Sequence, residues 1–269
     1  MRTEEQEVDN MYYQNLVSEV YLDAAEEIEH PPVALSMGYH FEYGKDGVTS
    51  LPIPLGTYGN FIFVQAPPKS CKSFFVSLLS AVYLNDSVPN RGGALQGHRE
   101  GRSVVHFDTE QGRYHALKVF KRPYRMTGKS HDEYDTIALR AVSANDRLKF
   151  IEYYLENEIK NVGLVIIDGV ADLCNDVNNI EEGNLVAQKL MELSSKHNCL
   201  IITVIHSNHN SDKPTGHLGS ALEKKAETQI QLEQTPSDGI ISVKCKRSRN
   251  RAFAEFFFSV DKYGLPKLA

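Results

Sequence analysis

Residues 61–79 read FIFVQAPPKSCKSFFVSLL. Phe61 to Val64 is an unbroken apolar run, as expected of a strand buried on both faces. A short loop follows, and Lys72-Ser73 then open an apolar segment that predicts a helix from about Lys72 to Tyr83. Strand, loop, Lys-Ser and helix is the layout of a phosphate cradle, in which free N–H groups at a helix start and a lysine meet phosphate oxygens. The usual pattern is Gly-x-x-x-x-Gly-Lys-Ser/Thr. Here it is Ala66-Pro67-Pro68-Lys69-Ser70-Cys71-Lys72-Ser73, followed by Phe74, with neither glycine. A loop without its glycines needs the remaining parts of a nucleotide site elsewhere in the chain.

On either side the chain is punctuated by further apolar runs. Ser103 to Phe107, Thr136 to Val142, Val162 to Ile167 and Leu200 to Ile205 read as strands. Helix-length periodic segments alternate with them: Asn145 to Ile159, with Leu148, Ile151 and Leu155 on one face, and Glu182 to Lys196, with Leu185, Leu190 and Leu193 apolar. Beta-branched runs alternating with helices imply an α/β fold, a mainly parallel central sheet flanked by helices. After residue 226 the style changes. Residues 227–233, 239–246 and 254–260 are short strands separated by turn signals, a hairpin-rich antiparallel continuation of the same sheet.

Other segments are read with less pattern to guide them. Residues 4–29 place Tyr12, Leu16, Val20, Ala24 and Ile28 four apart among acidic residues, an amphipathic helix stopped by Pro31-Pro32. The domain reading is an N-terminal helical segment, 1–32, able to bridge subunits, and a core of 33–269. Residues 33–60, rich in glycine and proline, read as loops and short strands, and 85–102 as an exposed loop. Residues 112–130 are basic and predict a helix broken near Pro123 and Gly128. The stretch SNHNSDKPTGH, 207–217, reads as polar and mobile.

The chain of 269 residues is 41% hydrophobic and 24% charged, an ordinary globular balance. No run approaches the roughly 18 apolar residues of a membrane span. The acidic, polar start MRTEEQEVDN does not read as a signal peptide. The four cysteines lack metal-ligand spacing and read as reduced thiols of a cytoplasmic protein. A net charge of −6 argues against wholesale coating of nucleic acid but leaves room for a local basic channel.

Four pieces fall just beyond predicted strand ends: the loop before Lys72-Ser73, Asp108-Thr-Glu110-Gln111, Asp168, and His206-Ser207. In an open parallel sheet such positions line one edge, where ligands bind. Lys72 suits the β- and γ-phosphates, and Ser73 and Asp168 suit a magnesium ion. Glu110 suits an attacking water, and His206 the γ-phosphate. Cys71, if accessible, would have its thiol pKa lowered by Lys72 and the helix start. The alternative is an inert filler.

These residues resemble the RecA-like P-loop ATPases, especially the branch of plasmid-replication and DnaB-type hexameric helicases and circadian-clock-type ATPases. The resemblance covers about 33–260. Pro54-Leu55-Gly56 and Gly59 look like the lead-in to the first strand, and VVHFDTEQ, 104–111, like the second strand with the catalytic glutamate at Glu110. VGLVIIDGV, 162–170, looks like Walker B, TVIHSNH, 203–209, like the γ-phosphate sensor strand, and GHLGSALEKKAE, 216–227, like the Gly-Ser segment after a DNA-facing loop. The resemblance implies ATP and Mg2+ as cofactors and a homo-oligomer, a hexameric ring or filament. It also implies a basic pair from the late strand VKCKRSRNRAFAEF entering the neighbouring subunit's site; aligned on Asn250, these are Arg247 and Arg249. Single-stranded DNA is the implied partner and plasmid or mobile-element replication the implied setting, with no membrane. Residues 172–182 are acidic and 207–217 carry only Lys213 as a strong cation, so DNA binding rests on the resemblance. Two other functions fit the same residues: a nucleotide-binding regulatory or assembly protein with little hydrolysis, and a P-loop small-molecule kinase with 112–130 as lid.

Overall fold

The computed structural model describes residues 4–27, 29–44, 47–68, 70–86, 94–208, 213–237 and 239–269. They fall into two compact units that divide between Pro31 and Pro32.

The first unit is a helix, α1 (Glu4–Val20), and the segment after it. It stops well short of the expected Glu29. Asp23 explains the stop: its side chain accepts from Ala25 N–H at 2.9 Å and its carbonyl from Glu26 N–H, so a local turn competes with the helix. Met11, Tyr12, Tyr13, Val17 and Val20 are exposed. Ile28 lies outside the described residues.

The second unit is built on a nine-stranded sheet among the described residues. In chain order its strands are β3 (Phe61–Ala66), β5 (Ser103–Asp108), β6 (Tyr134–Ala138), β7 (Val162–Asp168), β8 (Leu200–His206), β9 (Thr228–Gln234), β10 (Ile240–Ser248), β11 (Phe256–Val260) and β12 (Pro266–Leu268). Their order across the sheet is β12-β11-β10-β9-β3-β8-β7-β5-β6. The run from β9 to β6 is parallel, and β10, β11 and β12 continue it antiparallel. The helices are α2 (Lys72–Leu84), α3 (Arg113–Thr127), α4 (Ala144–Asn157), α5 (Ile180–Lys196) and α6 (Gly216–Lys225).

Alternation along the strands sorts the core into two layers. Ile62 and Val64 of β3, with Leu164 and Ile166 of β7, join the α2 layer. Phe61, Phe63, Val165 and Ile167 join the layer of α4, α5 and α6. Every residue of β3 and β7 is buried, which is why both read as continuous apolar runs.

Several expectations are corrected. Residues 33–60, expected as loops and short strands, hold two long strands: β1 (Val33–Gly44) and β2 (Gly47–Thr57) form an antiparallel hairpin. Pro52 and Pro54 fit because β2 is an edge strand of a second sheet, next to β1, and an edge spares them the missing N–H. Within 85–102, β4 (Leu95–Gly97) pairs with β1, while 87–93 lie outside the described residues. Helix α3 runs straight through Pro123, which loses one backbone bond but is buried beside Val119, Phe120 and Met126. It ends at Gly128, whose φ of 76° lets its N–H reach Tyr124 O. The strand expected at 136–142 starts earlier and ends at Ala138, because Leu139 N–H turns to Asp108 O and Val142 N–H to Leu139 O. No helix among the described residues is long and apolar enough to cross a membrane.

One buried titratable group sets a pH dependence. His106 of β5 is 1% exposed; its Nδ1 lies 3.1 Å from Tyr134 Oη, its ring meets Phe120 edge-on, and its Nε2 has no partner. Burial pushes its pKa down to about 3. The unfolded chain therefore binds a proton between about pH 6.5 and 3 that the folded chain does not, and stability falls as pH drops through that window by up to about 1.4 kcal/mol per unit. Denaturant titrations at pH 7, 6, 5 and 4 should show that His106→Phe loses stability more slowly than the parent as pH falls. Parallel curves would contradict the assignment.

Candidate functional site

Strand register brings the separate motifs together. Ala66 pairs with His206, Asp108 with Asp168, and Asp168 with Val204. The C-terminal ends of β3, β8, β7 and β5 therefore form one edge, and the loop before α2 rises over it.

That loop lacks both glycines and enters α2 through one left-handed residue. Cys71 caps α2 at φ 59° and ψ 25°, the left-handed conformation that glycine adopts freely. A Cβ there costs about 1–2 kcal/mol. Ala66 needs no such allowance, being the last residue of β3 with no positive φ. So only one of the two missing glycines carries a backbone strain. Pro67 and Pro68 are exposed and supply no N–H, which leaves backbone donors only from residue 69 onward. Lys69 itself lies outside the described residues. Ser70 is buried, and Cys71, Ser73 and Phe74 are half-buried.

Lys72 is 9% exposed. Its ammonium donates to Pro67 O at 3.0 Å, to Ala66 O at 3.5 Å and to His206 Nδ1 at 3.0 Å. Burial lowers its pKa, and Glu110 and Asp168 oppose that. With Nδ1 accepting, neutral His206 carries its proton on Nε2, 3.7 Å from Glu110 Oε1. His206 is itself fixed at the backbone, where its carbonyl accepts from Thr215 N–H and Oγ1. Burial first and Lys72 second lower its pKa.

Ser73 Oγ donates to Asp168 Oδ2 at 2.8 Å, so the two residues expected at a metal already touch. Asp168 is 5% exposed, and its pKa is pushed up to about 7 by burial, then by Asp108 and Glu110. Asp108 is fully buried and also raised, again by burial first. Glu110 is raised for the same reason, although 42% of its side chain remains exposed and water relieves part of that effect. Carboxyls held this way lack positive charge. No cluster of three His, Cys, Asp or Glu groups suited to a metal occurs among the described residues. Magnesium in a phosphate site does not need one, since it takes one or two carboxylates and completes its shell with water and phosphate. Ser73 and Asp168 fit such an ion, and Asp108 Oδ2, buried without a partner, marks the same shortage of positive charge.

Three residues that lay within the sequence motifs but were given no role of their own build the site. Asp108 Oδ1 accepts from Glu110 N–H and Gln111 N–H, shaping the turn that presents Glu110. Thr109 Oγ1 lies within hydrogen-bond distance of Asp168 O, Gly169 O and Asp172 Oδ2, tying that turn to the end of β7. Gly169 has φ 106°, and a Cβ on it would fall 2.3 Å from Thr109 Oγ1 and 2.7 Å from Glu110 Cγ. Asp-Gly at a strand end was the available signal for the last.

Arg247 and Arg249 are not part of this cluster. β10 runs against β9, so Ser248 lies beside Thr228, and Thr228 beside Ile62 at the start of β3. Both arginines thus sit at the opposite end of the sheet from Lys72 of the same chain. Arg249 donates to the carbonyls of Lys224, Lys225 and Ala226 at the end of α6. Lys244 of the same basic strand pairs with Glu233. The polar stretch 207–217 includes residues 209–212, which lie outside the described residues.

The family model described as "AAA domain" matches residues 54–212. The chain belongs to this AAA domain family. The fold is that of the RecA-like P-loop NTPases. Two solved structures share it. One, described as an ATPase domain, has TM-score 0.58 and 13% identity over 79% of this chain and 86% of that one. The other, "Crystal structure of the RadB recombinase", has TM-score 0.52 and 17% identity over 77% of this chain and 90% of that one. No curated protein sequence matches. In open parallel sheets of this kind, the edge beyond the C-terminal strand ends is where ligands bind.

Cys71 is not activated here. Burial raises its thiol pKa against the opposing pull of Arg122 and Lys72, the reverse of the lowering expected of an accessible thiol. All four cysteines are free. Because the strain at Cys71 is conformational, Cys71→Gly should keep or raise stability by up to about 1 kcal/mol, while Cys71→Val should lose more than about 1 kcal/mol. Denaturant midpoints of the two variants against the parent check this.

Proposed function

We propose that the chain binds ATP with magnesium at residues 66–74 and hydrolyses it. The observation that carries this reading is the convergence of Lys72, the Ser73–Asp168 pair, Glu110 and His206 on one sheet edge. Lys72 would exchange Pro67 O and His206 Nδ1 for β- and γ-phosphate oxygens, partners that better match its charge. Magnesium, when bound beside Ser73 and Asp168, supplies neutralising charge to the phosphates. Glu110 would hold a water by accepting one of its protons. The water oxygen then bonds to the γ-phosphorus as the bond to the bridging oxygen breaks, giving ADP and inorganic phosphate. His206, freed of Lys72, would donate towards the γ-phosphate.

Arg247 or Arg249 would serve a neighbouring copy. Their place at the far end of the sheet from Lys72 supports action between subunits, in a ring or filament with ATP at the interfaces. The exposed Tyr12, Tyr13 and Val17 of α1 support its assignment to such contacts. Single-stranded DNA is the proposed partner, in plasmid or mobile-element replication or mobilisation. It is supported by the sequence resemblance and by likeness to a structure described as a recombinase.

A second reading, ATP as a clamp with little turnover, is favoured by one observation. Cys71 carries strain where glycine would carry none, which weakens the cradle. Magnesium-dependent phosphate release, with and without single-stranded DNA, separates the two. We expect turnover in the parent chain and a loss of at least about 100-fold in Glu110→Gln with nucleotide binding retained. Binding without turnover in the parent would establish the clamp.

A further inference from the structure

The helix that carries Lys72 and Ser73 begins poorly by its own chemistry. Its cap residue, Cys71, makes no side-chain capping hydrogen bond and is left-handed, and no acidic residue stands in the first turn. Such a start receives little help from capping or from the helix dipole. Yet Ser73 Oγ must hold a fixed direction to meet Asp168.

The missing support comes from α3. Arg122 lies half-buried beside Val119 and Met126 on the buried face of that helix. Its guanidinium carbon stands 3.7 Å from the centre of the Phe74 ring, and Nη1 donates to Ser73 O at 3.2 Å. A planar cation stacked on a ring and bonded to the adjacent carbonyl fixes two consecutive residues at once, a geometry open to arginine and not to lysine. The same cation works against the dipole at the start of α2, an unfavourable position unless negative charge is near. Asp168 supplies that charge. Arg122 therefore belongs electrostatically to the site although its side chain is rooted in another helix.

We propose that Arg122 is a positioning residue of the nucleotide site: by clamping Ser73 and Phe74 it aims the Ser73 hydroxyl at the metal held with Asp168. This rests on the nucleotide site proposed above. It replaces, through side-chain contact, part of the order that a glycine-shaped loop and a capped helix would provide from the backbone. Its action passes through Ser73, so its effect belongs to the magnesium-dependent part of nucleotide affinity.

The test is the ratio of dissociation constants for an ATP analogue measured without and with magnesium, alongside thermal unfolding of each nucleotide-free protein. Arg122→Met keeps length and apolar packing on Phe74, Arg122→Lys keeps the charge, and Phe74→Leu removes the ring while keeping Arg122. We expect the magnesium-dependent gain to shrink about tenfold in Arg122→Met and by a smaller factor in Arg122→Lys and Phe74→Leu, while in the two Arg122 variants affinity without magnesium changes less than threefold. A purely structural role would lower both affinities together and the melting temperature with them. An unchanged magnesium gain in Arg122→Met overturns the proposal. Should that variant not fold, an unchanged gain in both Arg122→Lys and Phe74→Leu overturns it instead. Failure of the parent chain to bind the analogue at all would count against the nucleotide site itself.

Discussion

The left-handed turn at Cys71 is the constraint on which the site depends. It reverses the chain after β3 so that α2 starts directly over the sheet edge, with Lys72 pointing back at Pro67 O and His206 and Ser73 forward at Asp168. A residue with an ordinary φ at this point would carry α2 elsewhere. The cost of about 1–2 kcal/mol is small beside the burial of the helix that follows, in which Phe75, Val76, Leu78, Leu79, Ala81 and Val82 are all fully buried. Packing of α2 against the sheet thus holds a conformation that the local sequence disfavours.

The electrostatics follow from that placement. Asp108, Glu110, Asp168 and Asp172 gather within a few residues of the strand ends; Glu110 and Asp168 act on Lys72, and Asp168 on Arg122. Burial raises three of these carboxyls and each also feels its acidic neighbours. Lys72 is held on carbonyls and an imidazole, neutral partners that an anionic ligand can displace. A pocket with excess carboxylate and a weakly committed ammonium suits the joint arrival of a cation and polyphosphate better than either alone.

How much of this was readable in the chain depends on the range of the interactions. β3, β7 and β8 declared themselves because burial on both faces leaves an unbroken apolar run, and their loop, Asp168 and His206 could then be placed at strand ends by counting. The β1–β2 hairpin did not, because its glycines and prolines imitate a loop until the sheet that makes β2 an edge is known. Thr109 and Asp108 act by hydrogen bonds to backbone groups of neighbouring turns, which no spacing rule encodes. Arg122 reaches Ser73 across 49 positions, and within its own segment it was one basic residue among six. Pro123 misled for a related reason: its local penalty is visible in sequence, and the core contacts that outweigh it are not.

Whether a loop without glycines can form the phosphate cradle is decided by a crystal structure grown with magnesium and a non-hydrolysable ATP analogue. Phosphate oxygens should lie within hydrogen-bond reach of Lys72 Nζ, with Lys72 withdrawn from Pro67 O and His206 and Cys71 still at positive φ. An analogue bound elsewhere on the protein, with Lys72 still on Pro67 O, would contradict the cradle.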